Sequence, residues 1–375
     1  MRHSLARPVP LPHARGVSAP PKPENQHYIP QFLLRQFGHG QGHGHVWVCD
    51  KATGRVMKRS VKRSASAPDF YAVNYPDRGR DVELEHVFGR LETIAAPLLK
   101  ALAVLPPGAH DVGTEARGLL AGWLALSHSR VPSTIDSTMA MAKWTVAVET
   151  DMLLRNPERY RERARATGDT RSDAEIEAQR LVHLREHEDR NLVVEPAPET
   201  GLTALGMAVD HVRPILADMR WDIFRRGRFP WFVLGDQPVT TARPPDLSPL
   251  RGAGFATPGV EVYAPLSPEA LLVGTHEPHD GSIRVFAPDE RPGRLSLAHD
   301  WSLRPNLSAF GNAPGEVFGR SAGDLEAIRL SLGPEARTSH PQITVRGMPA
   351  EWIRYVPEGV VVETIDPPWT DEGSG

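Results

Sequence analysis

A single cysteine, Cys49, stands among 375 residues. One thiol closes no intrachain disulfide and builds neither a zinc ribbon nor an iron–sulfur cluster. A secreted disulfide scaffold is therefore excluded, and a cytoplasmic setting is expected. Cys49 lies in the strand-like run VWVCD, where a lone thiol acts as a small hydrophobe. No apolar run approaches the roughly 20 residues of a membrane span, so no membrane partner is expected. Lysine is scarce, 6 of the 43 basic residues, and with 36 prolines and 32 glycines this is a coding bias rather than a functional signal. A formal charge of -3 supplies no strong overall field. The chain also lacks a P-loop, a dinucleotide fingerprint and an H-E-x-x-H pair. Its 40% hydrophobic and 24% charged residues exclude global disorder, collagen and a long coiled coil.

The neutral total conceals an asymmetry. Residues 1–80 carry thirteen Lys/Arg against four Asp/Glu, and the remainder is acidic. A basic first fifth can meet a phosphate backbone, or it is a set of Arg-rich loops. Residues 1–23, rich in proline and arginine without an apolar segment, read as a disordered leader.

Ordered structure is expected over 24–331. PENQHYIPQFLLRQFG reads as a turn and short helix, VWVCDKATGRVMK as a hairpin, and DFYAV as a short strand. Apolar positions at helical spacing predict helices from Leu84, from Thr114 to the Arg130-Val131 break, and over 133–155, the last one buried. Residues 157–190 hold eight Lys/Arg and nine Asp/Glu and read as a solvated helical excursion. A helix follows at 200–218. WDIFRR and FPWFVLGDQPVT read as a hairpin, VEVYAPLSP and ALLVGTH as two strands, 290–312 as a helix, and 316–318 as a strand. WIRYVPEGVVVETI reads as a closing hairpin in a C-terminal β extension, 332–365, before a loose tail, 366–375. Strands, then helices, then strands predict the α+β class: one mixed sheet from the N-terminal and C-terminal strands, covered by the central helices.

Three histidine clusters invite a metal reading. His183 and His187 form H-x-x-E-H, whose i, i+4 spacing can grip zinc with Glu186 as base and Glu261 or Glu269 as a distant third ligand. With 16 histidines, chance pairs are common, and this one lies in the charged excursion. The groups His276/His279 and His39/His43/His45 sit in turn-like or Gly-rich segments.

The more informative pattern is spread along the chain. HYIPQFLLRQF at 27–37 resembles the opening signature of the bacterial family called domain of unknown function 4238. Later features follow the family's order: the spaced Glu85 and Glu92, Arg130-Val131-Pro132, Gly235-Asp236-Gln237-Pro238, the Pro-Leu-Ser-Pro step at 265–268, and Asn306 with Ala309 and Ala313. The resemblance covers roughly 24–320. It departs at Gln237, where the family usually has Asn, and at Gly235, where it often has Ser. It implies an intracellular bacterial protein and marks positions, without importing an activity.

Read as chemistry, those positions offer His27 or Asp236 to activate water, with a divalent metal as the candidate cofactor. Gln31, Arg35, Arg130 and Asn306 are the candidate substrate-binding groups. His27, ahead of a helix N-terminus, is expected to be neutral. The resulting expectation is a hydrolase acting on phosphate esters or nucleic acid. The alternative is a non-catalytic nucleic-acid- or protein-binding module, in which the signature is a structural lock. A catalyst needs these side chains around one opening, and a lock needs them buried and mutually satisfied.

Overall fold

The computed structural model describes residues 25–332 except 76–78, 82, 193, 227–230, 243, 245–253, 289 and 291–303, together with 343–346 and 360–363. The expected leader, the first part of the 290–312 helix, residues 352–359 of the closing hairpin and the tail lie outside them.

The chain opens with β1 (Asn25–His27), α1 (Gln31–Gln36), β2 (His45–Asp50), β3 (Val56–Ser60), β4 (Ser66–Pro68), β5 (Val73–Tyr75) and β6 (Gly79–Asp81). The middle holds α2 (Glu83–Val104), β7 (Gly108–His110), α3 (Gly113–Ser129), α4 (Pro132–Arg155), α5 (Pro157–Ala166), α6 (Asp173–Glu188), α7 (Thr203–Met207) and α8 (Arg213–Asp218). Strands then return as β8 (Arg220–Arg225), β9 (Leu234–Gly235), β10 (Thr240–Ala242), β11 (Glu261–Ser267), β12 (Ala270–Thr275) and β13 (Ile283–Phe286). The chain continues through α9 (Arg304–Asn312), β14 (Glu316–Gly319), α10 (Ala322–Ser331), β15 (Ile343–Arg346) and β16 (Val360–Glu363).

The class is α+β, and strands from both ends do meet. In a four-stranded antiparallel sheet of order β3-β2-β14-β9, Cys49 lies opposite Val317. Most of the remaining strands form a second, mixed sheet of order β10-β11-β12-β8-β13-β7, in which only β8 and β13 run parallel. The expected single sheet is thus two principal sheets. The largest apolar cluster joins them through α1, α2 and α3, with Leu33, Phe37, Val48, Leu99, Leu124, Ile223 and Leu272 among its members.

The expected hairpin of 221–240 does not form. Trp221, Asp222, Ile223 and Phe224 are buried consecutively, as in a strand covered on both faces, and β8 lies between β12 and β13. Leu234 and Gly235 pair with β14 instead. Residues 69–72 form a turn rather than the expected strand, and β5 starts at Val73. β16 pairs in parallel with β15, and the other strand of the expected closing hairpin lies outside the described residues.

The helix over 132–155 forms but is mostly not buried: of its side chains only Val148, Asp151 and Leu154 are fully covered. Its neighbours α5 and α6 are charged, and its many Ala, Thr and Met residues tolerate a wet surface. The excursion is two capped helices. Asn156 accepts from Arg159 N at 3.0 Å, Ser172 and Glu175 form a capping box, and α5 buries no residue.

Candidate functional site

The break after α3 builds one wall of the site. Pro132 disfavours helix at the residue before it, so Val131 is extended (φ -85°, ψ 154°) and α4 starts afresh with proline in its first turn. Arg130 is left at the C-cap, where it folds inward and is 2% exposed. Its Nε donates to the carbonyl of Tyr28 at 3.1 Å and its Nη1 to Glu92 Oε1 at 2.8 Å. The guanidinium lies 5.2 Å from the Phe88 ring centroid. The backbone carbonyl of Arg130 accepts from the Tyr71 hydroxyl at 2.7 Å. Nη2 is buried and has no hydrogen-bond partner.

The opposite wall is the signature. β1 pairs with β4, His27 opposite Ser66, and Tyr28 N donates to Ala65 O at 3.0 Å. Ile29, Leu33, Leu34 and Phe37 anchor this segment in the core. His27 is then held against the 3-10 turn Val61–Arg63, where its ring hydrogen-bonds to the backbone at Lys62 and Val61. Nε2 is buried without a partner. A neutral ring that donates from Nδ1 presents Nε2 as a lone pair. Burial is the main force lowering the His27 pKa, with Arg130 adding to it, while the backbone bonds and Glu92 oppose it. The expected neutrality is therefore due to burial more than to the dipole of a six-residue helix.

Two carboxyl groups of α2 complete this cluster. Glu92 holds Arg130, and its side chain keeps 27% exposure. Glu85 is half-buried, and burial followed by the charge of Glu92 pushes its pKa up, against the pull of Arg130.

Asp236 lies beyond Tyr28, just after β9. It is 5% exposed, and its Oδ2 accepts from the backbone N–H of Gly315 and of Glu316, each at 2.8 Å. Oδ1 is buried without a partner. Burial pushes this carboxyl up to about 7, against the two N–H bonds and the attraction of Lys51. The Tyr28 hydroxyl is held well above its ordinary range by burial and by the neighbouring Asp236 and Glu316. Tyr28 thus stands between the two groups, touching Arg130 through its carbonyl and sensing Asp236 through its hydroxyl.

The other candidates do not join. Arg35 is exposed and donates from Nη2 to Gln31 Oε1 at 2.8 Å, one helical turn away. Asn306 is 1% exposed, and both ends of its amide are engaged with backbone. Its Oδ1 accepts from Val233 N at 3.0 Å and its Nδ2 donates to Trp231 O at 2.8 Å. Gln237 also serves structure: Ser133 Oγ donates to its Oε1 at 3.0 Å, and its Nε2 donates to the His128 carbonyl at 3.1 Å.

The sequence reading overlooked Tyr71, Gln26 and Lys51. Gln26 is fully buried and accepts from Tyr71 N through Oε1. Lys51 donates to the carbonyls of Phe310 (2.7 Å) and Ala313 (2.6 Å) at the end of α9. A lysine just after a strand reads as a solvated turn residue, and no local pattern announces a helix cap 259 residues away.

Among the described residues, no group of three His, Cys, Asp or Glu side chains is placed to hold a metal ion. His183 instead contacts the Tyr160 hydroxyl at 2.9 Å and Gln179 Nε2 at 3.1 Å. The His276 and His279 Nε2 atoms contact the carbonyls of Phe255 (2.7 Å) and Asp218 (2.9 Å), two separate places. Two clefts among the described residues lie away from the signature. One of about 780 Å³ runs between α4 and α5, past Met152, Arg159 and Val194, and one of about 500 Å³ borders Arg220, Asp222, His279 and Arg284. No described helix is long and apolar enough to cross a membrane.

No match was found among curated proteins or among solved structures. A family model described as "Protein of unknown function (DUF4238)" matches residues 25–321, the stretch that runs from β1 past β14 and contains every signature position above. The chain belongs to the DUF4238 family.

Proposed function

We propose that this protein is a cytoplasmic bacterial hydrolase acting on phosphate esters, free or within nucleic acid, with His27 as its base and Arg130 as its phosphoryl holder. One observation carries the reading. His27 Nε2 and Arg130 Nη2 are buried, lack partners and sit in the field of the same Glu92, while every other polar atom of the Arg130 guanidinium is engaged. Orphaned buried groups cost stability and point to a ligand.

In this scheme Arg130 Nη2 donates to a phosphoryl oxygen and neutralises charge that builds in the transition state. His27 Nε2 takes a proton from water as the water oxygen bonds to phosphorus. The ester P–O bond breaks, and the leaving oxygen takes a proton, for which Glu85, its pKa raised by burial and by Glu92, is the donor in this scheme. Asp236 and Tyr28 position the signature strand, and Asn306 holds the 231–233 segment. The exposed side chains of Lys58, Lys62 and Arg63, on and beside the turn that holds His27, supply positive charge for steering.

The test is turnover of an aryl phosphate monoester, an aryl phosphodiester and single-stranded DNA and RNA by the full chain, with and without added Mg²⁺ or Mn²⁺. Turnover of one substrate that His27→Gln abolishes supports the reading, and no turnover of any overturns it. A second reading, the non-catalytic module, is favoured by the self-contained Gln31–Arg35 pair and the fully bonded Asn306. It predicts oligonucleotide or protein binding that His27→Gln leaves intact.

A further inference from the structure

We infer that a second, ion-sized site lies on the far side of the four-stranded sheet and binds a phosphate-type oxyanion between Lys51 and Arg329. A cavity of about 190 Å³ opens there, lined by the turn after β2, by Phe310 of α9 and by Arg329 of α10. At ~30 Å³ per water it holds on the order of six waters. That is room for a tetrahedral oxyanion with residual water, and it falls below the roughly 300 Å³ at which pockets begin to enclose drug-sized ligands.

The lining is cationic, with the carboxylate of Glu326 paired to Arg329 from outside it. Lys51 and Arg329 contribute two cations, and the described lining contains no carboxylate. Lys51 is 4% exposed and its ammonium already donates to the Phe310 and Ala313 carbonyls, so it acts on the cavity through its charge, with little water to screen it. Arg329 is the group whose requirement is unmet. Its Nη2 reaches Glu326 at 3.2 Å, while its Nε is buried and has no partner. A buried guanidinium N–H without a partner, in a residue that lines a cavity, is the donor type that an oxyanion satisfies.

The third wall is backbone. Gly54 has φ +67°, and a Cβ built there would lie 3.6 Å from Arg329 Nη1. The turn is closed by Thr53 N donating to Asp50 Oδ1 (3.0 Å) and Gly54 N donating to Asp50 O (2.8 Å), so it brings the main chain close to the guanidinium without a side chain between. Cys49 also borders the cavity, its thiol pushed up to about 11 by burial, and it contributes shape rather than charge.

The site is independent of the hydrolase reading, because neither His27 nor Arg130 borders it. Titration of the full chain with inorganic phosphate, followed by calorimetry and by amide NMR shifts of residues 51–54, tests it. Saturable binding with shifts confined to that turn and the ends of α9 and α10 is expected. Arg329→Gln should weaken it at least tenfold, and Arg320→Gln, on a surface arginine paired with Glu269, should leave it unchanged. Sulfate should compete. A nucleoside monophosphate should not if the natural ligand is the free ion, and should if the ligand is a phosphoryl group on a larger molecule. Absence of saturable binding, or equal affinity in folded Arg329→Gln, overturns the inference. If Arg329→Gln fails to fold, Arg329→Lys replaces it. Lysine keeps the charge without the guanidinium edge, and unchanged affinity in that variant likewise overturns the site as drawn.

Discussion

Arg130 Nη1 lies 2.8 Å from Glu92 Oε1, and the two partners are unequally sheltered: the arginine side chain is 2% exposed and the glutamate 27%. Removing either partner therefore leaves a different orphan. Glu92→Ala strands a guanidinium in the interior, which typically costs about 3–5 kcal/mol. Arg130→Met leaves a carboxylate that still reaches water, and should cost less. Urea denaturation of both single variants and the double variant measures the difference. Equal losses would contradict the asymmetry.

Asp236 links stability to pH in an unusual direction. Its folded pKa is about 7, above the usual carboxylate value of roughly 3.9, so the folded state holds the proton more tightly. The group's contribution is fully present below about pH 4 and is lost as pH rises toward 7. The stability of the protein relative to its Asp236→Asn variant should fall by about 4 kcal/mol across that window, at 1.36 kcal/mol per unit. A flat difference between pH 4 and 8 would refute the burial argument.

Asn306→Ala unties both Val233 N and Trp231 O in a sealed place. At about 1–3 kcal/mol for each buried group left unsatisfied, the expected loss is roughly 2–6 kcal/mol. Thermal unfolding reads it. A loss below 0.5 kcal/mol would mean water replaces the amide.

Gly235 stands where the structure leaves no room for a side chain. A Cβ there would stand 2.8 Å from the Ala309 carbonyl and 3.3 Å from Ala313 Cβ, because α9 passes close over β9. Gly235→Ser should cost about 1–3 kcal/mol through overpacking. A neutral result would show that α9 retreats easily.

Much of this was legible in the residues. The apolar spacing of Leu33, Leu34 and Phe37 marks the buried side of α1, and Pro132 marks the break that orients Arg130. The β11–β12 hairpin follows from two β-rich runs around a short turn. What local pattern cannot reach is pairing at long range. Nothing in WDIFRR says that its neighbours are β12 and β13 rather than the next strand, and the division into two sheets follows from that choice. At the site, residue types and chain order marked His27, Arg130 and Asp236. The roles of Gln31, Arg35 and Asn306 depended on partners that only the folded chain identifies.

In the proposed reaction, neutral His27 takes the proton from the attacking water. Hydrolysis of the best phosphate-ester substrate, measured from pH 5 to 9 for the protein and for folded His27→Gln, tests it most directly. With His27 as base, kcat/KM should rise on the acid side through a pKa below the ordinary 6.5 of histidine, because burial lowers it. A loss of at least about 100-fold is expected in His27→Gln, with that acid limb abolished. Turnover in His27→Gln at the wild-type rate, with the acid limb still present, would contradict it.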